Sequence, residues 1–517
     1  MHQDRVKKIS NVLVNLFLIP LVVVALLGSL ALIVPAFQGM SGLAIKLVTG
    51  LGVIGLVIAI SQPVRQACRK LVTGLYAKGY PHRRVLMWVV IILTLCWQLA
   101  VIYLLSGQNA YDTGKIMDAA INGAQAHRTY FSLNQNTLML LFLERGFWFM
   151  TGRPSLSTFV VYANVINLIL IDSGFWLLAH SVKRLFGKQH QAVLVVIGEL
   201  LFLLSPWVAV PYTDTWAFFL TAAIVAIGVS YFNSSKTWQK YVWAVLMGLT
   251  VTMAYLLKPS VVIALAAFCL IGLFRLINNH HFRPRLVVLI STLLVVIGFG
   301  ASFTAYKSFI QHQDFVTIDK KMGHPMIHFI AIGMHGTGAY NYPDAELDVT
   351  IKSPKKRQQA NVKLIKERIK GFHGWPNYQR FITKKQVNNI ADGTFAWGTD
   401  VQIDTNQANS HVRNQTIIRR LFAKQGQTRG NTYEYRFIAQ LVWSVCLGLI
   451  LFTVGSETWC VQFFKYGVVG FMLFLLIFEG GRSRYVVQFL PLMMVLATVG
   501  AVNLMTRIRS HQALKRD

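Results

Sequence analysis

Leu86–Ser106 reads LMWVVIILTLCWQLAVIYLLS and runs straight into Gly107-Gln108-Asn109-Ala110-Tyr111-Asp112-Thr113-Gly114-Lys115. The first run is apolar over the roughly 20 residues that an α-helix needs to cross about 30 Å of hydrocarbon. The second is a polar stretch that no lipid-buried helix would tolerate. The junction therefore ends a helix at the membrane–water boundary and sets Asp112 just beyond it. An ionised carboxylate held there takes a proton from a hydroxyl if the fold brings an acceptor to it.

Working outward, apolar runs of similar length recur near 11–35, 42–61, 156–180, 192–210, 214–232, 241–257, 260–278, 286–306, 437–454, 461–478 and 485–505. With 86–106 they predict an all-α polytopic membrane protein of about 12 transmembrane helices. The composition agrees: 517 residues, 54% hydrophobic and only 14% charged, exclude an ordinary soluble enzyme. The first run is too long for a signal-peptide core and lacks a convincing cleavage site, so it reads as a retained span.

The formal charge of +30 would suggest nucleic acid in a soluble chain. Here the cations sit in short loops and the C-terminal tail, where they fix topology and meet lipid headgroups, so no nucleic acid is expected. Arg65, Arg69, Lys70, Lys78, Arg83 and Arg84 follow the second span without one acid. Lys183, Arg184 and Lys188, then His280 to Arg285, then Arg507, Arg509, Lys515 and Arg516 mark further inner segments. By the positive-inside rule both termini are cytoplasmic in the cell membrane, and 107–155, Pro206 to Thr213 and 307–436 face outward.

The expected organisation is thus two transmembrane helices in 1–62, a transmembrane core in 63–306 with its first outer loop at 107–155, an extracytoplasmic soluble domain in 307–436, and further transmembrane helices with a basic tail in 437–517. Leu138 to Met150 is apolar but short and holds Glu144 and Arg145, which suits an interfacial helix on the outer surface. Cys68, Cys96, Cys269, Cys446 and Cys460 imply no disulfide framework and show no CxxC zinc spacing.

The outward pieces hold a recurrent set of polar elements. They are Tyr111-Asp112, Tyr130-Phe131 with Asn134-Gln135-Asn136, Pro211-Tyr212-Thr213-Asp214, Lys258-Pro259-Ser260, and Glu479 to Tyr485 with Pro491. Each has a plain structural reading beside a functional one. Asp112 and Asp214 suit the caps of the helices that follow them. Tyr212 suits an aromatic belt, and Lys258, Arg482 and Arg484 suit snorkelling cations. The same three cations at one face could instead compensate a phosphate, and Glu479 could pair with either arginine. Asp118 lies about 120° around the helix from Asp112 and is not its partner. Asp172 and Glu199 fall inside predicted spans and should face the bundle interior. His324 and His328 are spaced for one helical face, but no third ligand is tied to them by spacing, so no metal is assigned. The glycines from Gly333 to Gly338 shape a turn; the Lys-Ser/Thr ending of a phosphate-binding P-loop is missing.

In order and spacing these elements resemble the GT-C membrane glycosyltransferases, close to the protein mannosyltransferase and aminoarabinose transferase type and to a Gram-positive integral membrane branch. The resemblance spans roughly residues 86 to 500. It departs at Asn134-Gln135-Asn136, where relatives often show Pro-Asn-Asn, and in the two spans that precede the helix leading to Asp112. It implies a GT-C-like helical bundle with an outer-face domain that moves a sugar from a polyprenyl-phosphate donor to a cell-envelope acceptor: a polysaccharide, a teichoic-type polymer, a glycolipid or a protein. Asp112 would be the general base and the reaction would invert the anomeric carbon. Lys258, Arg482 and Arg484 would hold the donor phosphate. Tyr111, Asn134, Asn136, Tyr212, Asp214, His324 and Tyr485 would contact substrate, with no cofactor. A transporter or flippase of lipid-linked saccharides is the rival reading, although no duplicated half is visible. A noncatalytic membrane assembly protein is the third.

Overall fold

The computed structural model describes residues 2–109, 112–278, 286–401, 403–404, 416–422 and 434–514. Among them eleven helices are long and apolar enough to cross a membrane: Arg5–Gln38, Gly42–Ile60, Arg84–Leu105, Leu156–Phe186, Thr213–Asn233, Thr237–Leu257, Pro259–Asn278, Leu286–His312, Glu434–Leu451, Trp459–Ile477 and Ser483–Gln512. The chain is a helical polytopic membrane protein. Its last long helix is the most deeply enclosed, flanked by Thr213–Asn233 and Glu434–Leu451.

The twelfth expected span, 192–210, is not one continuous helix. It forms the helix Lys188–Gly198, a wide turn at Glu199–Leu203 and a short 3-10 turn at Pro206–Ala209. Pro206 has no N–H to continue the ladder, and it drives Ser205 to extended backbone (φ −78°, ψ 163°). The carbonyls released by the break are taken up by neighbouring side chains. Trp97 Nε1 donates to Leu204, Gln98 Nε2 to Leu203, and Asn167 Nδ2 to both Trp207 and Val208. Irregular backbone inside a bundle persists only where protein satisfies it in this way.

Asp172 and Glu199 face inward as expected. Both meet the helix Arg84–Leu105: Gln98 Nε2 donates to Asp172 at 2.9 Å and Thr94 Oγ1 to Glu199 at 3.0 Å. Helices Thr237–Leu257 and Leu286–His312 approach closely at Gly248 and Gly298. A Cβ on Gly248 would stand 2.5 Å from the carbonyl oxygen of Val295.

The segment expected as a separate outer domain has two parts. Helices Met326–Ile332, Tyr342–Thr350 and Pro354–Gly371 pack on one another. Arg368 joins them by an ion pair to Asp344 at 2.8 Å, and the buried Arg357 donates to the carbonyls of Lys321, Met322 and Gly323. Residues 375–401 instead enter the bundle. Gln386 Nε2 in the helix Trp375–Ile390 donates to Leu21 in the first membrane helix, Trp443 Nε1 to Ile390, and Trp207 Nε1 to Thr394. A two-residue antiparallel pairing of Gln108–Asn109 with Ile403–Asp404 ties this late segment to the start of the Asp112 loop.

That loop holds the helices Asp112–Asn122, Arg128–Leu133 and Leu138–Met150. Arg145 Nη1 reaches back to the carbonyls of Ala120 and Ile121 at 2.7 and 3.2 Å, satisfying the C-terminus of the Asp112 helix.

Candidate functional site

Most of the expected site residues converge, although they come from four distant segments. Asp112 opens its helix and is half-buried. Tyr212, extended just ahead of the helix Thr213–Asn233, donates its hydroxyl to Asp112 Oδ2 at 3.5 Å. Two residues on, Asp214 has no exposed surface and binds two cations at once. Lys258 Nζ lies 2.8 Å from its Oδ1 and Arg484 Nε 3.5 Å from its Oδ2. Lys258 reaches this point because Pro259 holds it out of the helix Thr237–Leu257 in extended backbone, at φ −154° and ψ 88°. Arg484 is placed by the 3-10 turn Ser483–Phe489.

The two cations share two aromatic faces. Lys258 Nζ is 5.7 Å from the Tyr212 ring centre and 5.0 Å from that of Tyr485, and the Arg484 guanidinium is 5.3 and 5.4 Å from the same rings. Burial pushes the Lys258 ammonium below the usual lysine range, against the pull of Asp214. Burial, and then the Asp112 carboxylate, push the Tyr212 phenol well up. Tyr212 therefore stays a neutral hydroxyl.

A second layer surrounds this centre. Tyr485 Oη donates to Glu479 at 3.2 Å, and Arg482 Nε is 3.4 Å from Asp400. Tyr130 stands beside Tyr212 and Asp112; burial first, then those two neighbours, raise its phenol. Burial, followed by the carboxylates of Asp112 and Glu479, does the same to Tyr340. Tyr130 and Tyr340 lie in stretches whose pattern the sequence displays, but nothing there assigns them a role. Asp400 carries no sequence signal.

The glycines position the Glu479–Tyr485 loop. Gly480 N donates to Gly338 at 2.8 Å, and Gly481 adopts φ +69° with its α-carbon against the backbone of Thr337, Gly338 and Ala339. Below them the buried Lys385 Nζ donates to the carbonyls of Gly333, Phe478 and Leu476 at 2.6, 2.7 and 3.0 Å. It ties the glycine run to the C-terminus of the helix Trp459–Ile477.

Other expected contacts lie elsewhere. Asn134 closes the turn after the Tyr130 helix, its Nδ2 donating to the Tyr130 carbonyl at 3.2 Å, and Asn136 is exposed. His324 is buried against Asp348 and His328, a carboxylate group that sequence spacing did not tie to the histidines. Tyr111 lies outside the described residues. Asp214, expected at the substrate, is enclosed, and its geometry is that of an anchor for Lys258 and Arg484.

Chemically, the centre offers one partly accessible carboxylate, Asp112, beside two cations whose shared counter-ion sits behind them. Lys258 directs one of its three ammonium protons to Asp214, and Arg484 meets that residue through Nε rather than its terminal nitrogens. No curated protein and no solved structure matches the chain. A family model described as "Conserved hypothetical integral membrane protein" matches residues 3–504, and the chain belongs to that family.

Proposed function

We propose that the protein is a membrane glycosyltransferase that takes a sugar from a polyprenyl-phosphate donor and passes it to a hydroxyl of a cell-envelope acceptor. The face carrying Asp112 would be extracytoplasmic and both termini cytoplasmic, which requires the broken segment 188–209 to cross as a twelfth element and deliver Tyr212 to Asp112. The observation that supports this best is the meeting of Asp112 with Lys258 and Arg484 around Tyr212, from positions far apart in the chain.

In this reading the acceptor oxygen attacks the anomeric carbon and forms the new glycosidic bond. Its proton passes to the half-buried Asp112 carboxylate, which Tyr212 meets only at long range. The bond from the anomeric carbon to phosphate oxygen breaks, and its electron pair leaves with the polyprenyl phosphate. Lys258, Arg484 and the more exposed Arg482 hold that phosphate through charge-assisted hydrogen bonds. Asp214 fixes two of them without facing the substrate.

The test is transfer by the purified protein in lipid vesicles, with radiolabelled polyprenyl-phosphate sugars and envelope fractions, comparing wild type with Asp112→Asn. A radiolabelled glycosidic product made by the wild type and lost in the variant is expected. Equal transfer by both removes Asp112 from the mechanism. Movement of intact lipid-linked saccharide with no glycosidic product replaces this reading with a flippase.

A further inference from the structure

We propose that His324, His328 and Asp348 form a binding site for a divalent transition-metal ion of the zinc class, separate from the Asp112 centre. The Nδ1 atoms of His324 and His328 lie 2.9 and 3.0 Å from the same oxygen of Asp348, Oδ2, and all three donor atoms fall within 4.8 Å of one another. Bonds of about 2.0–2.2 Å to imidazole nitrogen and carboxylate oxygen set tetrahedral donors about 3.3 Å apart, so a small shift of each side chain admits the ion.

The rings are oriented for this. They stack nearly parallel, with centres 4.2 Å apart and planes 12° apart, so both Nδ1 edges face the one carboxylate. His328 Nδ1 is buried and makes no aligned hydrogen bond despite its closeness to Asp348. Unprotonated, that ring nitrogen turns a lone pair toward a carboxylate oxygen that a neighbouring imidazole also faces, and a cation between them turns this repulsion into ligation. The other oxygen of Asp348 accepts from Asn361 Nδ2 at 2.6 Å, the kind of outer hydrogen bond that orients a ligating carboxylate. Asp348 has no exposed surface, and the nearby Arg357 directs its nitrogens to backbone carbonyls of residues 321–323 and 351. Two neutral imidazoles and one carboxylate suit a borderline-soft divalent ion better than magnesium or calcium, which favour all-oxygen shells.

The site's place gives the ion a task. It joins the helix Met326–Ile332, the helix Tyr342–Thr350 and, through Asn361, the helix Pro354–Gly371. His324 also ends the loop that supports the Tyr130 helix: His324 N donates to Leu133 at 3.4 Å and Asp319 N to Ser132 Oγ at 3.0 Å. A bound ion would clamp that loop and so hold Tyr130 beside Asp112. Three protein donors leave a fourth tetrahedral position for water.

The experiment uses the full chain, purified in detergent without a histidine tag and stripped with a chelator. Zinc alone is then titrated by equilibrium dialysis with elemental analysis. One zinc per chain is expected, with affinity falling at least tenfold in Asp348→Asn and in His328→Ala. Cobalt in the same site should give the intense visible absorption of a four- or five-coordinate ion, a readout on wild type that stands even if the variants fold poorly. Wild-type binding no tighter than in the variants, or a weak six-coordinate cobalt spectrum, overturns the site.

Discussion

Lys258 Nζ lies 2.8 Å from Oδ1 of Asp214, a carboxylate with no exposed surface that also faces Arg484. A carboxylate so enclosed between two cations is structural first. Removing it strands both cations in a poorly solvated place, which costs about 3–5 kcal/mol when one partner of a buried pair is lost. Asp214→Asn should therefore lower both the yield and the melting temperature of the detergent-solubilised protein. Asp112→Asn should change neither, because Asp112 is only half-buried and its contact from Tyr212 is long. Comparing the two melting curves separates the anchoring carboxylate from the reacting one. An Asp214→Asn protein as stable as wild type would show that the cations do not depend on it.

Arg482 is the most exposed of the three cations, and its ion-pair partner among the described residues is Asp400 at 3.4 Å. It is free to turn toward a phosphate at little cost to the fold. Arg482→Ala should raise the donor KM roughly ten- to a hundredfold, the worth of about 1.5–3 kcal/mol for a charged hydrogen bond. The melting temperature should hold. A change in kcat alone would place Arg482 away from the donor's ground-state contacts.

Gly481 sits at φ +69°, and a Cβ there would stand 2.5 Å from the carbonyl oxygen of Thr337 and 2.7 Å from the nitrogen of Ala339. Both obstacles are backbone, so neither can swing away. Gly481→Ala should push the glycine run off the Glu479–Tyr485 loop, lower stability by roughly 1–3 kcal/mol, and move Tyr340 and Arg482 relative to Asp112. Limited proteolysis at the 336–341 turn would report the loosening. Unchanged cleavage would mean that the loop is held elsewhere.

These contacts show which parts of the molecule the sequence discloses. The spans are legible because apolar length is a local property, and the run Leu86–Ser106 ends within a residue of the helix Arg84–Leu105. The meeting of Asp112, Tyr212, Lys258 and Arg484 follows in part from topology, since each stands at the end of a span on the side assigned outward. The break in 192–210 had a visible signal in Ser205-Pro206 and in Glu199, but apolarity on both sides masks it. Asp348 and Asp400 are different. Each meets its partners at sequence separations of 20 to 82 positions, where no periodicity links them. Residues 375–401 read as a water-facing stretch because they mix Trp and Phe with Lys, Gln and Asn. Their polar members instead bind bundle carbonyls, as Gln386 does at Leu21 and Lys385 at Phe478.

Glu144 offers a test through pH. It is buried within the helix Leu138–Met150, and its Oε2 has no hydrogen-bond partner among the described residues. Burial raises its carboxyl well above the usual range. The folded protein therefore keeps a proton on Glu144 at pH values where the unfolded chain has released it. Between the ordinary carboxylate range and the raised value, the folded state binds more protons than the unfolded one, and stability falls as pH rises through that window. Below the window this loss is absent. Glu144→Gln keeps the shape without the charge, so its melting temperature should match wild type in acid and exceed it by a few degrees at neutral and higher pH. Parallel melting-temperature curves for the two proteins from pH 5 to 8 would mean that Glu144 is solvated or paired in the folded protein.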